Sequence, residues 1–262
     1  MKRKTFFIGL AVYFAVITLA YLFKFGGDSY FSKITNIITV ITPFIPLYFG
    51  FLAVNYFGLS SQQGKSVFLI VVAIISWWIG DVIWWLIAQN AVVSAADIFW
   101  LIGYVFFIAG ICYNLKIVDS KFFKSARKVM YPFVAIFFGV FVYFRFFPLG
   151  WDYEAGLIQN LATGGYVIAD FILLIGVLVV AYFVYLTRKG QYSKPWIAIG
   201  GGMLLYLIGD IYYTVNYGAY KPGNPIELLW LYAYVLFGIG FFILKDNVAK
   251  IIELAKHKDK AA

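Results

Sequence analysis

Long apolar runs, separated by short polar segments, divide the chain along its whole length. A helix needs about 20 predominantly apolar residues to cross a bilayer, and each run is close to that length. The eight runs cover residues 5–23, 34–58, 67–89, 96–115, 128–147, 161–187, 195–217 and 226–244. The first run lacks a small-x-small cleavage pattern, so we interpret it as a retained anchor. The pattern predicts an all-α, polytopic integral membrane protein with eight transmembrane helices.

The basic residues predict the orientation of these helices. An even number of spans places both termini on the same side of the membrane. With that side taken as the cytoplasm, all but four of the 21 Lys and Arg residues fall in cytoplasmic segments. The four exceptions are Lys24, Lys33, Arg145 and Lys221. Because cytoplasmic loops carry an excess of Lys and Arg, we expect a cell-membrane protein with both termini in the cytoplasm.

One short motif occurs twice. Ile79-Gly80-Asp81 in the third span recurs as Ile208-Gly209-Asp210 in the seventh. Further matches follow after a one-residue change in loop length: Asp97 with Glu227, Trp100 with Trp230, and Tyr104 with Tyr234. The chain is therefore predicted to hold two parallel four-helix repeats, residues 1–120 and 121–245, because four spans return the chain to its starting side. A basic cytoplasmic tail, 246–262, follows.

Composition agrees with a bilayer environment and excludes several classes of function. Hydrophobic residues make up 63% of the chain and charged residues 13%, with a mean hydropathy of +0.87, whereas soluble domains are roughly a quarter charged. The net charge of +9 comes from short inter-span segments, so we expect no nucleic-acid partner. The single cysteine, Cys112, excludes an internal disulfide. The single histidine, His257, lies in the tail, so we expect no haem, metal or other cofactor.

Several acidic residues lie within or at the edge of a predicted span, all towards the outer face: Asp81, Asp97, Asp170, Asp210 and Glu227. A carboxylate inside a membrane costs about 2.5–3.5 kcal/mol on insertion scales, so such residues face partners, water or a cavity. Acids surrounded by aromatic faces suit an organic cation or an amphipathic molecule with a polar head. The predicted ligand-binding residues are Asp81, Asp170 and Asp210, with Trp78, Trp85, Trp100, Tyr104, Tyr166, Tyr213, Trp230 and Tyr234 as walls.

Structural roles compete with this interpretation. Asp81 and Asp210 could accept hydrogen bonds from neighbouring Tyr and Trp side chains and thereby fix the register of the helices. Asp97 and Glu227 stand in the first turn of a helix, where an acid complements the helix dipole, so capping is the favoured role for both. Arg145 either extends to the interface or neutralises Asp170 or Asp210.

The second half of the chain reads GGYVIADFILLIGVLVV, then LYLIGDIYYTVNYG and ELLWLYAYVLFGIGF. It resembles the multi-helix membrane sensory modules that precede diguanylate cyclase (GGDEF-type) and histidine kinase domains. The resemblance implies a sensor whose matching positions are Tyr166, Asp170, Asp210, Tyr213, Trp230 and Tyr234, with Asp81, Trp100 and Tyr104 as first-repeat counterparts. No output domain follows Lys245 in this sequence, so we expect signalling through a cytoplasmic partner.

A weaker similarity is to lysoplasmalogenase-like membrane hydrolases, which also have eight spans and a glycine–aspartate pair. Their following histidine is absent here, where Gly110 to Tyr113 reads GICY. The alternative function is therefore an intramembrane lipid hydrolase that uses paired aspartates. A small-solute transporter ranks third, because Pro43 and Pro46 are the only signal for a broken helix.

The favoured function is a sensor-like, ligand-binding membrane module with an outward-facing pocket of acids and aromatics. Its expected partners are membrane lipids, an unidentified small-molecule or lipid ligand and a cytoplasmic signalling protein, and the sequence leaves open a homodimer.

Overall fold

A computed structural model describes residues 3–24, 27–88, 93–115, 154, 156–187, 193–216 and 220–259. Within these ranges the regular structure is helical, and seven segments are long and apolar enough to cross a membrane. The prediction of an all-helical fold is therefore confirmed for these residues, and the seven apolar segments are compatible with a multi-pass membrane protein. The predicted fifth span, 128–147, lies outside the described residues, and so does Arg145 within it. The total of eight spans therefore remains a prediction.

The helices are numbered here in chain order. They are α1 Arg3–Phe23, α2 Asp28–Ile41, α3 Phe44–Phe57, α4 Gln62–Ile83, α5 Ala95–Leu115, α6 Leu157–Thr187, α7 Ser193–Val215 and α8 Glu227–Asp259. A π-helical turn, Trp84–Ala88, extends α4.

The second predicted span is divided into α2 and α3 at a proline. The backbone N–H of Thr42 still bonds to the carbonyl of Ile38, at 2.9 Å, and closes α2. Pro43 has no N–H to continue this ladder, so the chain turns and α3 begins at Phe44. Pro46 lies in the first turn of α3, where a missing N–H is tolerated. Because of this break, α2 packs beside α4 as a separate helix.

The last helix is longer than the predicted span. Hydropathy ends that span at Leu244, but α8 continues to Asp259, through much of the tail that the sequence analysis treated separately. Residues 245–259 contain no glycine or proline, so no residue interrupts the helical backbone.

Six helices form a closed ring in the order α3, α4, α5, α6, α7, α8, with α8 returning to α3. In addition, α1 packs on α8 and α2 packs on α4. Large side chains such as Trp77, Trp196 and Phe237 are fully buried inside the bundle. Leucine, isoleucine and valine side chains remain exposed on its outside, where a bilayer rather than water would surround them.

Close packing between α7 and α8 depends on one glycine of the GGG segment at 200–202. A methyl group on Gly202 would lie 2.7 Å from Cε1 of Phe237 and 3.0 Å from the carbonyl oxygen of Ala233. A methyl group on the adjacent Gly201 would lie 3.5 Å from Cδ1 of Leu236, an ordinary contact. Gly202 therefore permits a close helix approach, as small residues do in membrane bundles.

We expect Gly202→Ala to lower the free energy of unfolding by about 1–3 kcal/mol, because the new methyl group overpacks the α7–α8 contact. Gly201→Ala is the matched control, since it adds the same group to the same helix without a clash. Thermal unfolding of both purified variants in one detergent is the measurement. Gly202→Ala should melt several degrees below the parent protein and Gly201→Ala should not. Equal melting temperatures for the two variants would contradict this packing.

Candidate functional site

The repeated Ile-Gly-Asp motif places an indole beside each aspartate. Nε1 of Trp100 donates to Oδ1 of Asp81 at 2.9 Å, and Nε1 of Trp230 donates to Oδ1 of Asp210 at 2.8 Å. A methyl group on Gly80 or Gly209 would lie 2.6 Å from the corresponding indole nitrogen. The glycine therefore leaves room for the ring to lie against the helix, and the indole N–H reaches the carboxylate of the next residue.

Each aspartate also accepts a hydrogen bond from a tyrosine of the other half of the chain. The hydroxyl of Tyr104, in α5, donates to Oδ2 of Asp210, in α7, at 2.5 Å. The hydroxyl of Tyr234, in α8, donates to Oδ2 of Asp81, in α4, at 3.3 Å. Each carboxylate is thus held by a tryptophan from its own half and a tyrosine from the other, which satisfies an acid that would otherwise be costly inside a membrane.

Aromatic rings at aligned positions of the two halves contact each other beneath these acids. Trp77 stacks on Tyr206, with ring centroids 4.5 Å apart and an interplanar angle of 19°. Phe107 and Phe237, which also align, have centroids 5.3 Å apart. These contacts form a packed aromatic layer between the halves, and the acids lie at its edge.

Asp170 joins this group from α6. Its side chain is buried, and its Oδ1 lies 3.3 Å from the Tyr104 hydroxyl that donates to Asp210. One phenol oxygen therefore lies within hydrogen-bonding distance of the carboxyl groups of both Asp170 and Asp210. Tyr104 therefore brings Asp170 and Asp210 together, whereas Asp81 is held separately by Trp100 and Tyr234.

Asp97 closes the first turn of α5. Oδ2 of Asp97 accepts from the backbone N–H of Ser94 at 2.6 Å, a capping contact. Its Oδ1 accepts from the Tyr166 hydroxyl at 2.7 Å, which also fastens α6 to α5.

Glu227 has the equivalent place at the start of α8. Its buried carboxylate accepts from the backbone N–H of Gly223 at 2.8 Å and from the hydroxyls of Tyr21 at 2.5 Å and Tyr220 at 2.7 Å. Burial, together with the nearby Glu227 carboxylate, raises the pKa of Tyr220, which therefore remains a hydrogen-bond donor at neutral pH. Glu227 thus ties α1 and the loop before α8 to the helix start.

These groups surround one cavity of about 390 Å³, large enough for a small organic molecule. The cavity lies where α4 and α7 end and where α5, α6 and α8 begin. Its acids are Asp81, Asp97, Asp170, Asp210 and Glu227. Among the lining residues that the structure describes there is no Lys, Arg or His. The lining is therefore acidic and aromatic, without a described basic side chain to neutralise it.

All the predicted binding residues except Trp78 line this cavity: Asp81, Asp170, Asp210, Trp85, Trp100, Tyr104, Tyr166, Tyr213, Trp230 and Tyr234. Trp78 points instead towards α2 and α3, where its Nε1 donates to the carbonyl of Val40 at 2.9 Å and its ring meets Phe44 edge-on. The neighbouring Trp77 faces the buried core. Trp78 therefore links α4 to α2 and α3 outside the cavity.

Several lining residues were missed by the sequence analysis. Asn36 and Thr39 of α2 contribute polar groups to the wall, and so do residues of α6. The spacing of polar residues in the sequence predicts that one face of α6 lines the cavity. These residues are Gln159, Thr163, Tyr166 and Asp170.

The chemistry available to this cavity is that of carboxyl groups, phenols and indoles. It can hold a cation against aromatic faces, or keep a proton between paired acids. In the part of the chain that the structure describes, no cluster of His, Cys, Asp or Glu has the arrangement of a metal site.

No family model matches the sequence, and comparisons with curated proteins and with solved structures likewise found no match.

Proposed function

We propose that the chain is a duplicated membrane module in which two four-helix units associate about an axis along the membrane normal. The support is the exchange of equivalent contacts. Tyr104 reaches Asp210 and its aligned partner Tyr234 reaches Asp81. In the ring, α3 contacts α4 and α8, while α6 contacts α7 and α5, which is the same arrangement with the halves exchanged. A twofold axis between the two halves produces helix contacts that are related in this way.

We propose that this module binds a ligand with an organic ammonium group and acts as a sensor. The observation that carries the proposal is the convergence of carboxyl groups and aromatic rings on one cavity whose described lining has no basic side chain. A cation placed there would neutralise acids that are costly to hold inside a membrane. The faces of Trp and Tyr rings would add cation–π attraction.

The cavity is proposed to open to the outside of the cell. It lies at the ends of the helices that are joined by the loops around residues 89–94 and 216–226. The opposite ends carry most of the Lys and Arg residues, which mark the cytoplasmic side.

We propose that helix α8 transmits ligand binding at the cavity to a cytoplasmic partner. Glu227, Trp230 and Tyr234 line the cavity from its first two turns. Its 33 residues span roughly 50 Å at 1.5 Å per residue, whereas the hydrocarbon core is about 30 Å thick. One continuous helix would therefore connect the site to the cytoplasm, and a change at the cavity would move its far end.

A lipid hydrolase is the second candidate, favoured by the placement of Asp170 and Asp210 against one tyrosine hydroxyl. Two acids that share a proton can act as general acid and general base. Turnover of lysolipids by purified protein, lost in Asp210→Asn, would favour this candidate over a sensor.

We expect the purified protein to bind choline at least about tenfold more tightly than 3,3-dimethyl-1-butanol, its neutral isostere, because only choline carries a charge for the carboxylates and ring faces. Tryptophan fluorescence is the measurement, since Trp84, Trp85, Trp100 and Trp230 line the cavity. Asp210→Asn should weaken choline binding by a similar factor.

Asp28→Asn is the matched control for this experiment. Asp28 is exposed and receives a 2.8 Å hydrogen bond from Lys24, which lowers its pKa, so the variant removes a carboxylate that is charged at neutral pH away from the cavity. Choline affinity should not change. Equal affinity for choline and its isostere, or no loss in Asp210→Asn, would contradict the proposed cation site.

We expect a cysteine at position 221, but not one at position 62, to react with a membrane-impermeant maleimide in intact cells. Lys221 and Gln62 are both exposed and lie at opposite ends of the bundle. The native thiol is removed beforehand by Cys112→Ser. Permeabilised cells provide the control, because both cysteines should then react. Labelling of position 62 alone in intact cells would reverse the proposed orientation.

A further inference from the structure

The hydroxyl of Tyr104 stands between two carboxyl groups but has only one hydrogen. It lies 2.5 Å from Oδ2 of Asp210 and 3.3 Å from Oδ1 of Asp170. The shorter contact assigns that hydrogen to Asp210. The contact between the phenol oxygen and Asp170 therefore needs a hydrogen of its own, which a protonated Asp170 carboxyl donates.

Among the residues that the structure describes, no group around Asp170 supplies a cation that would let both acids ionise. The described titratable groups that face it are Tyr104 from α5 and Asp210 from α7. Both are acids, and no described basic side chain lines the cavity. In the described surroundings, Asp170 thus keeps a proton, while Asp210 accepts the hydrogen of Tyr104 as a carboxylate.

From this geometry we infer that ligand binding displaces this proton, so that the cavity exchanges one proton for one cation. The inference rests on the proposed cation site and adds its regulation by pH. An ammonium group that enters beside Asp170 and Asp210 takes over the neutralising role of the proton. The Asp170 carboxyl releases its proton to water, and the charge of the occupied cavity equals that of the empty one.

The exchange makes the affinity for the ligand depend on pH. Binding that releases a proton becomes tighter as pH rises, by up to tenfold per pH unit over the range in which the pair gives up its proton. Choline suits the measurement because its quaternary ammonium has no proton to lose, so any proton that appears comes from the protein.

The experiment is calorimetric titration of choline into the purified protein at one pH in two buffers with different ionisation enthalpies. We expect close to one proton released per choline bound, and a dissociation constant that falls as pH rises. In Asp170→Asn the amide supplies its hydrogen permanently and one carboxylate is lost, so choline should bind more weakly than to the parent protein at high pH, with little proton release and little pH dependence. Asp28→Asn should behave like the parent protein.

The outcomes separate this inference from the function on which it rests. Choline binding without proton release, and with an affinity independent of pH, overturns proton exchange and leaves the cation site standing. Full proton release in Asp170→Asn overturns the assignment of the proton to Asp170. Absence of choline binding to the parent protein overturns the cation site and this inference together. If Asp170→Asn fails to fold, the proton count and the pH dependence of the parent protein still decide the inference.

Discussion

The crossed hydrogen bonds to Asp81 and Asp210 are the interaction on which the rest of the structure depends. A carboxylate inside a bilayer is tolerated only when donors or water satisfy it, and here the donors come from both halves of the chain. Neither half can satisfy its own aspartate fully, because Tyr104 and Tyr234 each serve the opposite half. The same bonds therefore hold the halves together beside an acidic cavity.

Packing around these bonds explains why the motif contains glycine. Gly80 and Gly209 have no side chain, so Trp100 and Trp230 approach their helices closely enough to bond the adjacent acid. Below, Trp77 against Tyr206 and the other aligned rings fill the space between the halves. Without a hydrophobic force between helices in lipid, close packing and hydrogen bonds must supply the association. The cavity is thus bounded by the groups that stabilise the bundle.

Much of this was predictable from particular residues, and some was not. The recurrence of Ile-Gly-Asp indicated that Asp81 and Asp210 are related, and hydropathy located the spans that the structure describes. The choice between Trp77 and Trp78 was not predictable, because both faces of a membrane helix are apolar and periodicity does not distinguish core from lipid. The end of α8 was also missed, since charge at Lys245 ends a hydropathy window but not a helix. Which tyrosine serves which acid depends on the tertiary packing of α5 and α8.

The most direct test of this account is a pair of double-mutant cycles on the free energy of unfolding. One combines Tyr104→Phe with Asp210→Ala, and the other combines Tyr234→Phe with Asp81→Ala. We predict a coupling energy of about 1–2 kcal/mol in each cycle, because each removes a hydrogen bond to a buried carboxyl group. The exchanged combination, Tyr104→Phe with Asp81→Ala, should give a clearly smaller value. Coupling near zero in both crossed cycles, or larger coupling in the exchanged combination, would contradict the account.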